Sequence, residues 1–244
     1  MWDRARGMAR DFLARYVIPP QCVVCGRDVP SSAPVCQSCA ERVMARPPVQ
    51  TTDTGVYRGR CEKCGRPLVS AFARCLECRE KPILTHIDRV IPLFAYSPAV
   101  QSLLTAWKTE GRTALTGLFA DCLARAIAER GDLTVVPVPP RPGKVRTRGW
   151  DQIEAIAVSL ERRYGISVSR CLERTTAFQQ KKLGRLARAE NMRGGISVIA
   201  GKRVPEAVLV IDDLMTTGST LNACAEALKD AGCQAVCGLT LFYD

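Results

Sequence analysis

Residues 208–220 read VLVIDDLMTTGST, an apolar run that ends in two carboxylates and then gives way to hydroxyl residues and a glycine. Asp212 and Asp213 cannot bind a phosphate, but carboxylates are good acceptors for the hydroxyls of a sugar. Thr216, Thr217, Ser219 and Thr220 offer hydroxyl donors, and Gly218 lets the backbone come close to a ligand. A segment of this kind leading into a helix presents free backbone amides, which attract an anion. An acidic pair beside a phosphate cup describes a site for a ribose 5-phosphate. Helix capping alone accounts for one hydroxyl, not for four hydroxyls and two acids. A phospho-receiver domain would need far more chain after its acidic strand than the 31 residues that follow Asp213. Neither a Walker A sequence nor a G-x-G-x-x-G fingerprint is present, so nucleotide binding by those routes is not expected.

The second chemical signal is cysteine. Eight of the 13 cysteines form four C-x-x-C pairs: Cys22/Cys25, Cys36/Cys39, Cys61/Cys64 and Cys75/Cys78. The first two pairs precede the second two by 39 residues, and CVVCG is echoed by CEKCG, so one small module is repeated. Two such hairpins complete a tetrahedron around zinc with Zn–S near ~2.3 Å, and four thiolates leave no open position, so both sites are expected to be structural. A thioredoxin-like redox motif uses a single C-x-x-C on a βαβ unit, and a disulfide framework needs an oxidising compartment. Sequential pairing is the simplest ligand assignment. The interleaved one, Cys36/Cys39 with Cys61/Cys64, satisfies the same spacing. Cys122 and Cys224 fall on apolar helix faces and read as small core residues. The single His86 is expected to be structural, which removes histidine triads from consideration.

The elements that position these residues change character along the chain. Residues 1–20 suggest a short amphipathic helix, and 21–82 a cysteine-rich module that depends on its metal to fold. From 88 to 244 strands and helices alternate. Residues 114–132 place Leu115, Leu118, Phe119, Cys122, Leu123, Ala126 and Ile127 on one helical face. Residues 133–139 form a short buried strand. Residues 151–165 repeat the helical spacing at Ile153, Ile156, Ala157 and Leu160, with Gly165 as the stop. Residues 204–211 are a second strand, with Asp212 and Asp213 at its carboxyl edge and 214–219 as the following loop. A helix to Gly232 and a strand from Ala235 complete the series. Such alternation predicts an α/β fold with a mostly parallel sheet covered by helices, in which ligands bind beyond the carboxyl ends of the strands.

Charge adds a third signal. The formal net charge is +11, and two zinc ions on eight thiolates bring it to about +7. Between Arg141 and Arg193 there are 13 Lys or Arg against 5 Asp or Glu, a local surplus that suits a phosphate-rich partner. No apolar run approaches the ~18 residues of a membrane span. The N-terminal residues lack the uncharged stretch of a signal peptide, so the chain is expected to be cytoplasmic.

The 208–220 stretch resembles the ribose-phosphate signature of type I phosphoribosyltransferases, which bind 5-phospho-α-D-ribose 1-diphosphate (PRPP). That resemblance implies Asp212 and Asp213 on the ribose hydroxyls and Thr216, Thr217, Gly218, Ser219 and Thr220 around the 5-phosphate. RGWDQ (148–152) after VPVPPRPGKVR, the segment 174–194 and the cysteine-rich region introduced by IPPQC resemble the matching segments of the ComF family, which extends the likeness over nearly the whole chain. It implies a phosphoribosyltransferase-like fold preceded by a double zinc ribbon. Val138, Pro139, Pro140 and Arg141 correspond to the diphosphate loop, and the Gln/Arg-rich segment to a hood over the site. Trp150-Asp151 stand where Phe-Asn is usual, and Met215 where Tyr is common.

Two functions follow from the resemblance. One is phosphoribosyl transfer from PRPP, with Mg²⁺, to an acceptor that the sequence does not identify. Arg141, Arg146, Arg148, Lys181 and Lys182 then lie in segments suited to phosphate or nucleic-acid contacts. The other is a non-enzymatic role in natural competence, binding incoming single-stranded DNA or DNA-uptake proteins with a vestigial PRPP site. Within the basic segment only Trp150 and Phe178 are available for base stacking, which weighs against direct DNA binding. Glutamine-dependent transfer is not expected, because the N-terminal cysteine and amidohydrolase domain it requires are replaced here by Met1-Trp2 and zinc knuckles.

Overall fold

A computed structural model describes residues 20–30, 33–44, 50–51, 57–68, 72–131, 133–141, 143, 149–174 and 195–244. The amphipathic helix expected at 1–20 lies outside the described residues, as do Arg146, Arg148, Lys181 and Lys182. The chain divides into two compact units. One holds the described residues up to Arg46 with Tyr96–Leu118; the other holds those of Pro47–Ala95 with Phe119–Asp244.

In the first unit a cysteine knuckle leads into helix α1 (Gln37–Val43). Two very short strands of the other unit, β1 (Gln50–Thr51) and β2 (Tyr57–Arg58), pair antiparallel. A second knuckle follows with helix α2 (Leu76–Glu80). Strand β3 (Arg89–Ala95) comes next. Helix α3 (Pro98–Lys108) starts where the Ser97 side chain accepts the Val100 amide and Pro98 supplies a preset first-turn φ.

Helix α4 (Ala114–Ala128) buries Leu115, Phe119, Leu123, Ala126 and Ile127 as its spacing predicts, while Leu118 and Cys122 are half-buried. Strand β4 (Thr134–Pro137) precedes helix α5 (Gln152–Tyr164), which Asp151 caps by accepting the Glu154 amide at 2.7 Å. Gly165 ends α5 at φ 65°, a left-handed stop. A small hairpin pairs β5 (Leu172–Arg174) with β6 (Ile196–Val198). Strand β7 (Ala207–Met215), helix α6 (Ser219–Asp230) and strand β8 (Ala235–Tyr243) complete the chain.

The main sheet is parallel throughout, in the order β3-β8-β7-β4. The α/β class expected from the alternation of elements is therefore the one observed. Val208, Leu209, Val210 and Ile211 of β7 and Val236, Leu239, Leu241 and Phe242 of β8 are all buried, as strands covered on both faces require. Full burial of each such side chain contributes about 1.5–3 kcal/mol. Phe242 anchors this core, with ring centroids 6.0 Å from Phe94 and 5.7 Å, edge-on, from Phe119.

One strand end differs from expectation. β7 continues through both acids to Met215, with Asp212 beside Thr240 and Met215 beside Tyr243. Pairing with β8, which is equally long, carries the ladder past the point where apolar residues give out. The connecting loop is therefore Thr216–Gly218 rather than 214–219.

Candidate functional site

The two cysteine modules are copies in their backbone as well as in sequence. Cys22 N–H donates to Arg27 O at 2.7 Å, as Cys61 N–H does to Arg66 O at 2.8 Å. Gly26 and Gly65 each donate to the carbonyl of the first cysteine at 2.8 Å, and Val29→Pro20 is matched by Leu68→Gly59 at 2.8 Å. Cys36 and Cys75 then begin the two short helices in the same extended conformation.

The sulfurs group sequentially. Those of Cys22, Cys25, Cys36 and Cys39 lie within 4.8 Å of one another, as do those of Cys61, Cys64, Cys75 and Cys78. The Cys25–Cys36 and Cys64–Cys75 sulfurs are 3.8 and 3.7 Å apart. A tetrahedron with metal–sulfur bonds near 2.3 Å has edges of about 3.8 Å, so both tetrads fit a zinc ion and can hold one.

The surroundings of the two tetrads differ. Cys25 is exposed, and Arg27 donates to its sulfur at 3.4 Å and to that of Cys36 at 3.7 Å. Arg42 donates to Cys39 Sγ at 3.3 Å. Guanidinium groups would thus face the net negative charge of four thiolates on a divalent metal, were one held there. In the free tetrad, hydrogen bonds from the Ser38 hydroxyl and the Cys39 amide lower the Cys36 thiol to about 6, while burial pushes Cys39 up to about 12.

The second tetrad is held by amides and by the core. Cys61 Sγ accepts from the amides of Cys64 at 3.5 Å and Cys75 at 3.4 Å. Burial alone would raise the Cys61 thiol, yet the amides of Cys64, Cys75 and Lys63 outweigh it and bring it to about 7. Cys61 and Cys64 pack in the same core cluster as Val90, Val208, Leu221 and Cys224. The knuckle also covers the outer edge of β3. Val90 N–H donates to Lys63 O at 2.8 Å, and Arg60 bridges the carbonyls of Gly65 and Pro92, both at 3.0 Å. Gly65, at φ 70°, has no room for a side chain there, because a Cβ would collide with the Pro92 ring.

The acidic pair lies where parallel strands β4 and β7 end side by side. Pro137 is in register with Ile211, and Val138 N–H donates to Ile211 O at 3.1 Å. The segment Val138, Pro139, Pro140, Arg141 therefore leaves the sheet next to Asp212 and Asp213. Val138 and Pro139 are buried, and Pro140 and Arg141 exposed. Arg174, at the end of β5, donates through Nε to Pro139 O at 2.9 Å. Burial lowers the pKa of Arg174, with Arg141 adding to the effect while Cys224 and Asp212 oppose it.

Successive residues of a strand leave opposite faces of the sheet, so the two carboxylates meet different neighbours. The charge of Asp212 is felt by Cys224 of α6 and by Arg174. Asp213 faces the start of α5, where burial and the charge of Asp213 together raise the Asp151 carboxyl, against the pull of the Glu154 amide. Arg174 was not singled out by sequence reasoning, and Asp151 was named only as a departure from the family pattern, not as a neighbour of the acidic pair. The Asp-x-x-Glu spacing of a helix cap was the available signal for Asp151.

After Met215 the loop turns at Gly218, φ 82°, which is the N-cap of α6 and carries no capping side chain. Thr217 Oγ1 and Ser219 Oγ lie 2.8 Å apart, and Ser219 N–H donates to Thr217 Oγ1 at 3.3 Å. A Cβ on Gly218 would stand 2.6 Å from Leu84 Cδ2. His86 has a structural setting: its amide donates to Asn222 Oδ1 at 2.8 Å, and its ring Nε2 lies 3.6 Å from Glu226 Oε1. No helix among the described residues is long and apolar enough to cross a membrane.

No protein-family model matches the chain. It is 26% identical over 180 residues to "Competence protein ComFC" of Streptococcus pneumoniae, covering 72% of this chain and 77% of that one. It is 23% identical over 188 residues to "Competence protein F" of Haemophilus influenzae, covering 72% and 81%. It is 24% identical over 189 residues to "DNA utilization protein YhgH" of Escherichia coli, covering 72% and 80%. These relatives, named for competence and DNA utilization and alike over the greater part of their length, support the ComF family for this chain.

Proposed function

We propose that the chain binds PRPP or a related ribose 5-phosphate, with Mg²⁺, at the carboxyl edge of β4 and β7, and that it serves DNA uptake. The observation that carries the ligand reading is the Gly218 turn: a helix N-terminus with no side-chain cap, ringed by hydroxyls, directly after two strand-end carboxylates. The 5-phosphate sits against the amides of that turn. Asp213 accepts from a ribose hydroxyl, and Asp212 contributes from the other face. Val138–Arg141 would lie against the diphosphate, and Mg²⁺ bound with the ligand would supply positive charge to offset that of a departing diphosphate. The relatives named for competence and DNA utilization support the cellular context. Transfer of the phosphoribosyl group to an acceptor is the reaction such a site would serve.

A second reading, a single-strand DNA adaptor, is favoured by one feature of the second knuckle. Phe72 is 57% exposed with the Arg79 guanidinium 4.1 Å from its ring centroid, and Leu76 of α2 is 58% exposed. An exposed aromatic with an arginine is a platform for a base. Calorimetric titration of PRPP with Mg²⁺ separates the readings. Heat from the wild type and none from Asp213→Asn supports the ribose-phosphate site. Silence from both proteins, with salt-sensitive binding of single-stranded DNA, replaces it with the adaptor.

A further inference from the structure

The second cysteine knuckle reaches the phosphate loop through one side chain. Arg66 directly follows the knuckle glycine, and its backbone carbonyl accepts the amide of Cys61 at 2.8 Å, so its start point is tied to the metal ligands. One terminal nitrogen, Nη1, pairs with Glu77 Oε2 at 2.9 Å, on the helix that Cys75 begins. The other, Nη2, donates to the backbone carbonyl of Thr216, 150 residues away in sequence. Arg66 Nε is buried and has no hydrogen-bond partner among the described residues, so the side chain is placed for its two terminal contacts.

That contact orients a peptide. The chain has no cis peptide bond among the described residues, and in a trans peptide the N–H points away from the C=O of the same plane. With the Thr216 carbonyl turned to Arg66, the Thr217 amide faces the opposite side of the loop. The strap that follows the knuckle reinforces this. Leu84 fills the space over Gly218, and Asn222 of α6 accepts from the amides of His86 at 2.8 Å and Ile87 at 3.4 Å. Asn222 Nδ2 also donates to Thr85 Oγ1 at 3.2 Å, and Lys229, further along α6, pairs with Asp88.

We propose that Arg66 is a positioning residue for the Thr216–Gly218 loop, and that it makes metal binding at Cys61, Cys64, Cys75 and Cys78 a condition of anion binding there; the ligand half rests on the ribose-phosphate reading above. The metal fixes the knuckle, the knuckle fixes Arg66 between Glu77 and Thr216, and Arg66 keeps the Thr217 amide turned toward the anion. The second tetrad then acts on the ligand site without touching the ligand.

The test is residue-resolved hydrogen exchange of the Thr217, Gly218 and Ser219 amides in the ligand-free full chain, read beside zinc content. Arg66→Met keeps the length of the stem and removes the donors. It is expected to retain two zinc ions, to exchange these amides about ten-fold faster, and to bind ribose 5-phosphate about ten-fold more weakly, as loss of one charged hydrogen bond implies. Arg66→Lys, which keeps a donor for one carbonyl, recovers part of both. Unchanged exchange in an Arg66→Met protein that holds two zinc ions overturns the proposal. If Arg66→Met loses metal, Glu77→Gln loosens the same guanidinium from its other side; faster loop exchange with both zinc ions present supports the proposal, and unchanged exchange rejects it. The exchange readout needs no ligand. A wild type that binds no ribose phosphate therefore sinks the function proposed above, while the amides still decide whether Arg66 orders the loop.

Discussion

The carboxylate of Asp212 accepts a hydrogen bond from the backbone amide of Asp213 at 2.8 Å. One acid of the pair thereby holds the backbone of the other, and the two carboxylates are not equivalent. Asp213→Asn is expected to lose PRPP binding by more than ten-fold while keeping two zinc ions and the wild-type unfolding midpoint. Asp212→Ala removes an acceptor and is expected to cost about 1 kcal/mol of stability. Asp212→Asn keeps an oxygen for the same amide and should unfold near the wild type. Calorimetric titration and urea denaturation of the three proteins check this. Equal stability losses at the two positions would refute the distinction.

The two cysteine tetrads should fail differently. Cys25 is exposed, whereas Cys64 is buried in the core cluster shared with β7 and α6. Cys25→Ser is expected to lower zinc from two ions to one and to leave the unfolding of the α/β unit unchanged. Cys64→Ser is expected to remove one zinc and also to lower that unfolding midpoint, because it places an unmatched hydroxyl in the core. Elemental analysis with denaturant melts separates the cases.

Gly218 is the most sensitive single position in the loop. A side chain there meets an unfavourable φ of 82° and a Leu84 methyl at 2.6 Å. Gly218→Ala is expected to cost about 1–2 kcal/mol from the backbone alone. Pairing it with Leu84→Ala should relieve the collision and not the backbone strain. A double-mutant cycle on unfolding free energy measures the two parts.

Acid sensitivity should centre on Asp88. Burial acts to raise this carboxyl, but Lys229 at 2.5 Å and the Val236 amide at 2.7 Å outweigh it and hold the pKa below the ordinary 3.8. A carboxyl depressed in the folded state contributes stability fully above its unfolded pKa, and that stability is lost as pH falls through the folded value. The side chain is 43% exposed, so solvent screening limits the gain to about 1 kcal/mol or less. Asp88→Asn should be less stable than wild type at pH 7 and lose less stability below pH about 4. Urea midpoints at several pH values check both parts.

Much of this was legible in the residues. The period of Ile153, Ile156, Ala157 and Leu160 announces α5, and the 39-residue echo announces two metal sites. Strand β3 gives no such signal, because Pro92 interrupts RVIPLFA and a proline argues against an interior strand. The structure resolves this by placing β3 at the sheet edge, with Pro92 beside Thr240. Helix α3 did carry a readable sign in Ser97-Pro98 ahead of an apolar stretch, yet the sequence reading assigned no element there. The extension of β7 through its acids is a property of pairing with β8, which no local pattern reveals. The Arg66–Thr216 contact is non-local in the same sense.

The place of β8 carries a consequence for how the molecule is made. It is last of the strands in chain order, yet it lies between β3 and β7 and hydrogen-bonds to both. During synthesis, Arg89–Ala95 leaves the ribosome long before Ala235–Tyr243 exists, so β3 has no neighbour in this sheet until translation has passed residue 243. For that interval the edge of β3 that later meets β8 has no strand to pair with, while the second knuckle, whose cysteines are already made, can take its place on the outer edge.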